Sequence, residues 1–220
     1  MHGHAVARDT RTYEHIEPAQ VGNERHILIS ELSGTANVQK KLASLGLQVD
    51  KDLIRKILDE VQNLENDGYQ FEAADGSFAL LVRRLAGTAK DFFELEGYRV
   101  TITRDTKGSP VTEASVKIKV GDEQRHTVAE GDGPVNAFDG ALRKALEDIY
   151  PALKEVHLVD YKVRVVNPRA ATAAKVRVVI ESQDHSEVWG TVGVSENIIE
   201  ASYKALADSI VYKLMKEQDV

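Results

Sequence analysis

The second half of the chain repeats itself. "YRVTITR" at Tyr98 is answered by "YKVRVVN" at Tyr161, "SVKIKV" at Ser115 by "KVRVVI" at Lys175, and "TVAEGDGPVNAFDGAL" at Thr127 by "TVGVSENIIEASYKAL" at Thr191. The offsets are 63, 60 and 64 residues, so the order of elements is kept and the connections differ in length. In the first copy Tyr98, Val100 and Ile102 alternate with Arg99, Thr101 and Thr103. Val116, Ile118 and Val120 alternate with Lys117 and Lys119, the period of strands with one wet face. A third, short strand is expected around His126 to Ala129. A helix follows with the apolar stripe Val135, Phe138, Leu142, Ala145, Leu146 and Ile149, stopped by Tyr150-Pro151. A duplicated β-β-β-α unit buries itself most simply as two three-stranded antiparallel sheets, each covered on one face by its own helix. The predicted fold class is therefore α+β, with the duplicated domain over 90–220 and its copies at about 92–151 and 155–218.

Before it the pattern is helical. Leu53, Ile54, Ile57, Leu58, Val61 and Leu64 form one stripe, with Asp50 placed to cap its start and Gly68 to end it. A second stripe, Phe78, Leu81, Val82 and Leu85, ends at Gly87, so 37–89 reads as a small subdomain of two or three helices. Residues 1–36 hold one strand-like run, "RHILISEL", among polar segments and read as a linker that cannot bury a core alone. His2 and His4 form an H-x-H pair there, but no acidic ligand follows at strand spacing, so no metal site is expected. The 28 Lys and Arg are scattered and outnumbered by 35 Asp and Glu, which argues against nucleic acid. Cysteine is absent, removing disulfides, thiolate zinc sites and cysteine nucleophiles and fitting a reducing cytoplasm. No apolar run approaches the roughly 20 residues of a membrane-spanning helix, so no membrane partner is expected.

Three segments, "TVGVSENIIEASYKALADSIVYKL", "GDGPVNAF" and "LVDYKVRV", resemble the C-terminal allosteric dimerisation domain of the 2-isopropylmalate, citramalate and homocitrate synthases. "RTYEHIEPAQVGNERHILISELSGTANV" is similar to the family's linker after its catalytic barrel, and "NDGYQFEAADGSFALLVRR" to its second helical subdomain. "ISELSGTANV" and "GYQFEAADGSFALLVRR" look more like the citramalate synthase branch. The resemblance implies a parent enzyme that condenses acetyl-CoA with a 2-oxo acid on a TIM barrel carrying a divalent metal. A barrel needs about 250 residues, so it has no room here and this chain holds no cofactor of its own. The chain then reads as the regulatory portion, inactive alone, that associates with a second copy and binds isoleucine. Leucine is the effector if the parent is instead a 2-isopropylmalate synthase. In the intact enzyme the resemblance gives His2 and Tyr13 supporting roles at the partner's catalytic site.

The stretch "GDGPVNAFDGALRKAL" lacks the glycine and lysine spacing of a nucleotide loop. Gly131 and Gly133 let a backbone approach a ligand, Pro134 takes the first helical position, and the remaining N–H groups suit a small carboxylate. In "VHLVDYKV", Asp160 offers an acceptor for an ammonium, and Leu158, Tyr161 and Val163 offer an apolar wall beside Val135, Ala137 and Phe138. The candidate effector site is thus Gly131, Gly133, Pro134, Val135, Ala137, Leu158, Asp160 and Tyr161. The plainer alternatives are that the glycines only shape a turn, that Tyr161 is a core residue, and that the module merely dimerises. The second copy has no glycine at its helix start. Trp189 and Tyr203 read as packing residues, and Asp139 and Glu147 as lying on the wet side of their helix.

Overall fold

A computed structural model describes residues 20, 35–47, 50–104, 106, 108–166 and 174–219. Three helices come first: α1 (Thr35–Ser44), α2 (Lys51–Asn66) and α3 (Asp75–Leu85). Asp50 caps α2 by accepting from Leu53 N–H at 2.7 Å, and Gly68 and Gly87 follow α2 and α3 with positive φ. The first repeat is β1 (Glu94–Arg104), β2 (Pro110–Val120), β3 (Glu123–Gly131) and α4 (Pro134–Leu146). After a 3-10 turn at Pro151–Glu155, the second is β4 (His157–Val165), β5 (Val176–Gln183), β6 (Val188–Ser195) and α5 (Ile198–Asp219). Two separate antiparallel sheets result, ordered β1-β2-β3 and β4-β5-β6, each packed on its own helix. The expected α+β duplication is therefore the fold.

The register corrects one offset. Tyr98 pairs with Val116 and Val116 with Thr127; Tyr161 pairs with Ile180 and Ile180 with Thr191. The middle strands thus correspond at an offset of 64 residues, not 60. "KVRVVI" matched "SVKIKV" at the wrong place because an alternating strand looks alike after any even slip. Both first strands also carry a bulge at the same point, between Leu95 and Gly97 and between Leu158 and Asp160. Thr127 donates to the Ala141 carbonyl at 2.6 Å, and its counterpart Thr191 donates to Ala205 at 2.8 Å. The third strand is longer than expected: it runs over Glu123–Gly131, starting three residues before His126 and ending two past Ala129.

Two apolar clusters result. One joins both repeats through Val116, Ile118, Phe138, Leu142, Ile180, Leu206 and Ile210. The other joins α1, α2 and α3 through Val38, Ile54, Ile57, Val61, Phe78 and Leu81, and takes in Val192 of β6. Helix α3 is common to both, since Leu80 belongs to the first cluster. Close approach to the second sheet requires Gly190, where a Cβ would run into the Ala73 carbonyl. The free face of the second sheet is thereby covered in part, and among the described residues nothing covers that of the first.

Asp139 is a second correction. It is buried, and Arg143 donates to its Oδ2 at 2.9 Å while also reaching the Leu153 and Val156 carbonyls at 3.2 and 3.0 Å. Burial pushes the Asp139 carboxyl up, and the Arg143 guanidinium opposes this. The pair ties α4 to the connector between repeats. Trp189 and Tyr203 do pack as expected: Trp189 is buried with its indole N–H on Ser209, and the Tyr203 ring meets Phe138 at 5.8 Å.

Candidate functional site

The start of α4 is built by a glycine that the chain itself needs. A Cβ on Gly131 would sit 2.5 Å from both the Ala137 nitrogen and the Asn136 Oδ1, so no side chain fits between the strand end and the returning helix. Gly133 is different. Its φ of −165° is extended backbone that any residue adopts, and a Cβ there would meet open space. Pro134 begins the helix, Ala137 N–H bonds the Gly133 carbonyl at 2.9 Å, and Asn136 accepts from Asp132 N–H at 3.1 Å. No side chain caps the helix. The first-turn amides of Val135 and Asn136 are left with the positive end of the helix dipole and no side-chain acceptor.

Leu158, Asp160 and Tyr161 stand on β4, an edge strand. Because of the bulge, Leu158 shares a face with Tyr161: their partners Ser182 and Ile180 both point to the helix side. Asp160 pairs with Glu181 on the opposite face. There it forms an ion pair with Lys162, which holds its carboxyl below the usual range, aided by the hydrogen bond from the Tyr161 amide. The helix side of β4 outruns its helix. Leu158, Tyr161, Val163 and Val165, with Val159 at the bulge, are between 37% and 56% exposed. The Tyr161 hydroxyl reaches Ser202 of α5 at 2.9 Å.

The structure therefore groups Gly131, Gly133, Pro134 and Val135 at one helix start, and Leu158 with Tyr161 on one open strand face. Ala137 is wholly buried against the sheet, and Phe138 is buried between Tyr98 and Tyr203, at ring distances of 5.2 and 5.8 Å. Among the described residues, no hydrogen bond, ion pair or ring contact joins the helix start to Leu158, Asp160 or Tyr161 within one chain. Sequence reasoning missed Ser202, which stands where the first repeat has Phe138, and the Tyr98 hydroxyl bond to Glu200 at 3.2 Å that links the repeats. The signal was available, since the 64-residue offset of the third segments already sets Ser202 against Phe138. His2 and Tyr13 lie outside the described residues. Among those described, no cluster of three or more His, Cys, Asp or Glu could hold a metal, and no helix is long and apolar enough to cross a membrane.

Comparison with known proteins gives this arrangement a context. A family model described as the LeuA allosteric (dimerisation) domain matches residues 72–214, and one described as homocitrate synthase post-HMGL domain-like matches residues 1–69. The boundary between them falls before α3, in keeping with the packing of α3 on β6. The chain is 50% identical over its whole length to an (R)-citramalate synthase of Aquifex aeolicus and 49% identical to one of Geobacter sulfurreducens. It is 28% identical over 99% of its length to a 2-isopropylmalate synthase of Methanocaldococcus jannaschii. It spans 42%, 42% and 41% of those proteins.

Proposed function

The chain belongs to the family of the LeuA allosteric (dimerisation) domain, and from that we propose that it is the feedback and self-association portion of a citramalate synthase. Relatives of that name align along the whole chain, which spans about two fifths of their length. The rest of such a protein would carry the barrel, with the divalent metal and acetyl-CoA, and the condensation with pyruvate. In that intact enzyme, His2 and Tyr13 would lie on the segment that reaches the partner's catalytic site.

The observation that carries the reading is the open apolar face of β4. Five large apolar side chains in nine residues are left in water, and a row of that kind marks an association surface. A second copy of the chain, related by a two-fold axis, covers both rows at once. Such an interface can set one copy's uncapped α4 start against the other's Leu158 and Tyr161. The helix start would receive the carboxylate of isoleucine, the β4 row its aliphatic side chain. Asp160 faces away from Tyr161 and is paired with Lys162, so in this arrangement it lies outside the row that meets the effector. Inhibition then follows if isoleucine binds the inactive arrangement of the attached catalytic subunits more tightly than the active one.

A leucine-responsive reading is kept by the similarity to a 2-isopropylmalate synthase. One methyl position in an aliphatic pocket is worth only about 1–3 kcal/mol. Calorimetric titration of the chain with isoleucine, leucine and valine decides among them. Saturable binding with isoleucine preferred is the expected result. A preference for leucine moves the parent reaction to the other synthase, and no binding of any of the three removes the feedback role.

A further inference from the structure

The second sheet ends at β6 without a fourth strand, yet its open edge is occupied. Ser77 of α3 accepts from the Val192 amide at 3.0 Å, and Lys204 of α5 donates to the Val194 carbonyl at 3.1 Å. Side chains from two helices thus close the edge against strand addition. Beside them lies a cavity of about 320 Å³ between the helical layer and α5. That is the lower end of the size range of small-molecule sites.

One wall of the cavity is apolar: Leu64, Phe71 and Leu81. The other carries Asp208, Arg84 and Lys204. The Asp208 oxygens are already engaged, Oδ2 by the Ser77 hydroxyl at 2.7 Å and Oδ1 by Arg84 at 2.6 Å. Burial pushes this carboxyl up, against the Arg84 charge that favours its ionised form. Arg84 spends one of its five N–H donors there, and its side chain is 55% exposed at the rim. Lys204 has no carboxylate within ion-pair distance among the described residues. The cavity therefore offers an apolar wall and one positive charge in excess.

We propose that this cavity is a binding site for a short aliphatic carboxylate, its anion held by Lys204 and Arg84 and its tail against Leu64, Phe71 and Leu81. The ligand would touch the end of α2, helix α3 and helix α5 together, so its binding would tighten the helical layer onto the regulatory sheet. None of its residues belongs to the effector site proposed above, and it stands or falls independently of that reading. Two sources share the chemistry: an amino acid, which adds an ammonium, and an oxo or simple carboxylic acid, which does not.

The test is an amide NMR titration of the whole chain with four compounds that share an isopropyl group: isovalerate, 2-oxoisovalerate, valine and isobutylamine. The amides of Val192 and Ala207 are expected to shift and saturate with isovalerate and not with isobutylamine. Whether valine or 2-oxoisovalerate binds more tightly identifies the source. Lys204→Met should weaken binding by about tenfold or more, with recovery in Lys204→Arg. Ala207→Phe, which fills the cavity without removing a hydrogen bond, should abolish it. Val192 and Ala207 amides that do not move with any carboxylate, or equal binding of the amine, would overturn the proposal. The amides of Val135 and Tyr161 report on the effector site in the same spectra, so either site can fail alone.

Discussion

The two repeats share register, bulge and threonine-to-helix hydrogen bond, yet they fill corresponding positions with different chemistry. Where the second has the buried pair Asp184 and Lys213, 2.7 Å apart, the first has Val120 and Ile149. Where the first sets Ala129 under Gly140, the second sets Gly193 under Lys204. The small residue has changed sides of the strand–helix contact while the spacing is kept. At the helix starts, the first repeat has Gly133 and no cap, whereas Asn197 caps the second by accepting from Ile199 and Glu200 N–H at 2.8 and 3.4 Å. Beneath the corresponding tyrosines lie Phe138 and Ser202. The frame is thus set by strand register and one tight contact, and the repeats have diverged in what they leave available. The first keeps an uncapped helix start, and the second leaves Leu158, Tyr161 and Val163 exposed where the first half-buries Leu95, Tyr98 and Val100.

The sharpest way to break this comparison is to write one repeat's residues into the other. Lys213→Ile alone strands a buried carboxylate and should cost about 3–5 kcal/mol by denaturant unfolding. Adding Asp184→Val, which reproduces the Val120 and Ile149 pair, should recover most of that loss. Burial works to raise the Asp184 carboxyl, but hydrogen bonds from Lys213, Ser186 and Glu187 outweigh it and hold it well below the usual carboxylate range. A carboxyl depressed on folding stabilises fully above its ordinary value, 3.8, and the contribution is lost as pH falls from there through the depressed value. The double variant should accordingly lose less stability on acidification than the parent.

A smaller effect is expected at the exchanged small residues. Gly193→Ala drives a methyl into the Ala201 carbonyl and Ala205 amide, backbone atoms that cannot yield, and should cost about 1–3 kcal/mol in thermal melts. Ala129→Gly, the reciprocal change, should cost about 0.5–1 kcal/mol. The smallest is Gly133→Asn. It should change stability by only a few tenths of a kcal/mol, yet weaken isoleucine binding in calorimetry, because the new side chain occupies the amides meant for the ligand.

The duplication, the strand alternation and the caps at Asp50 and Gly68 were legible because each depends on nearest neighbours in the chain. The middle-strand register was not, since a period-two pattern carries no absolute position; it became readable only from the pairing of Tyr161 and Thr191 with Ile180. Asp139 was misread because a charged residue on a helix is ordinarily wet, and the Arg143 that allows its burial looks like any surface pair one turn on. For the site, the unusual helix start at Gly131 and Gly133 stood out. The shared face of Leu158 and Tyr161 did not, because plain alternation sets residues three apart on opposite faces and only the bulge after Leu158 brings these two together.

The central claim is that the open β4 face is where two copies meet and where the effector is enclosed. Sedimentation equilibrium of the chain and of its Val163→Asp variant, each with and without isoleucine, tests it most directly. The account predicts a dimer that isoleucine strengthens, and a folded, monomeric variant that isoleucine leaves unchanged. A parent chain that stays monomeric, or a variant that dimerises as well as the parent, would contradict it.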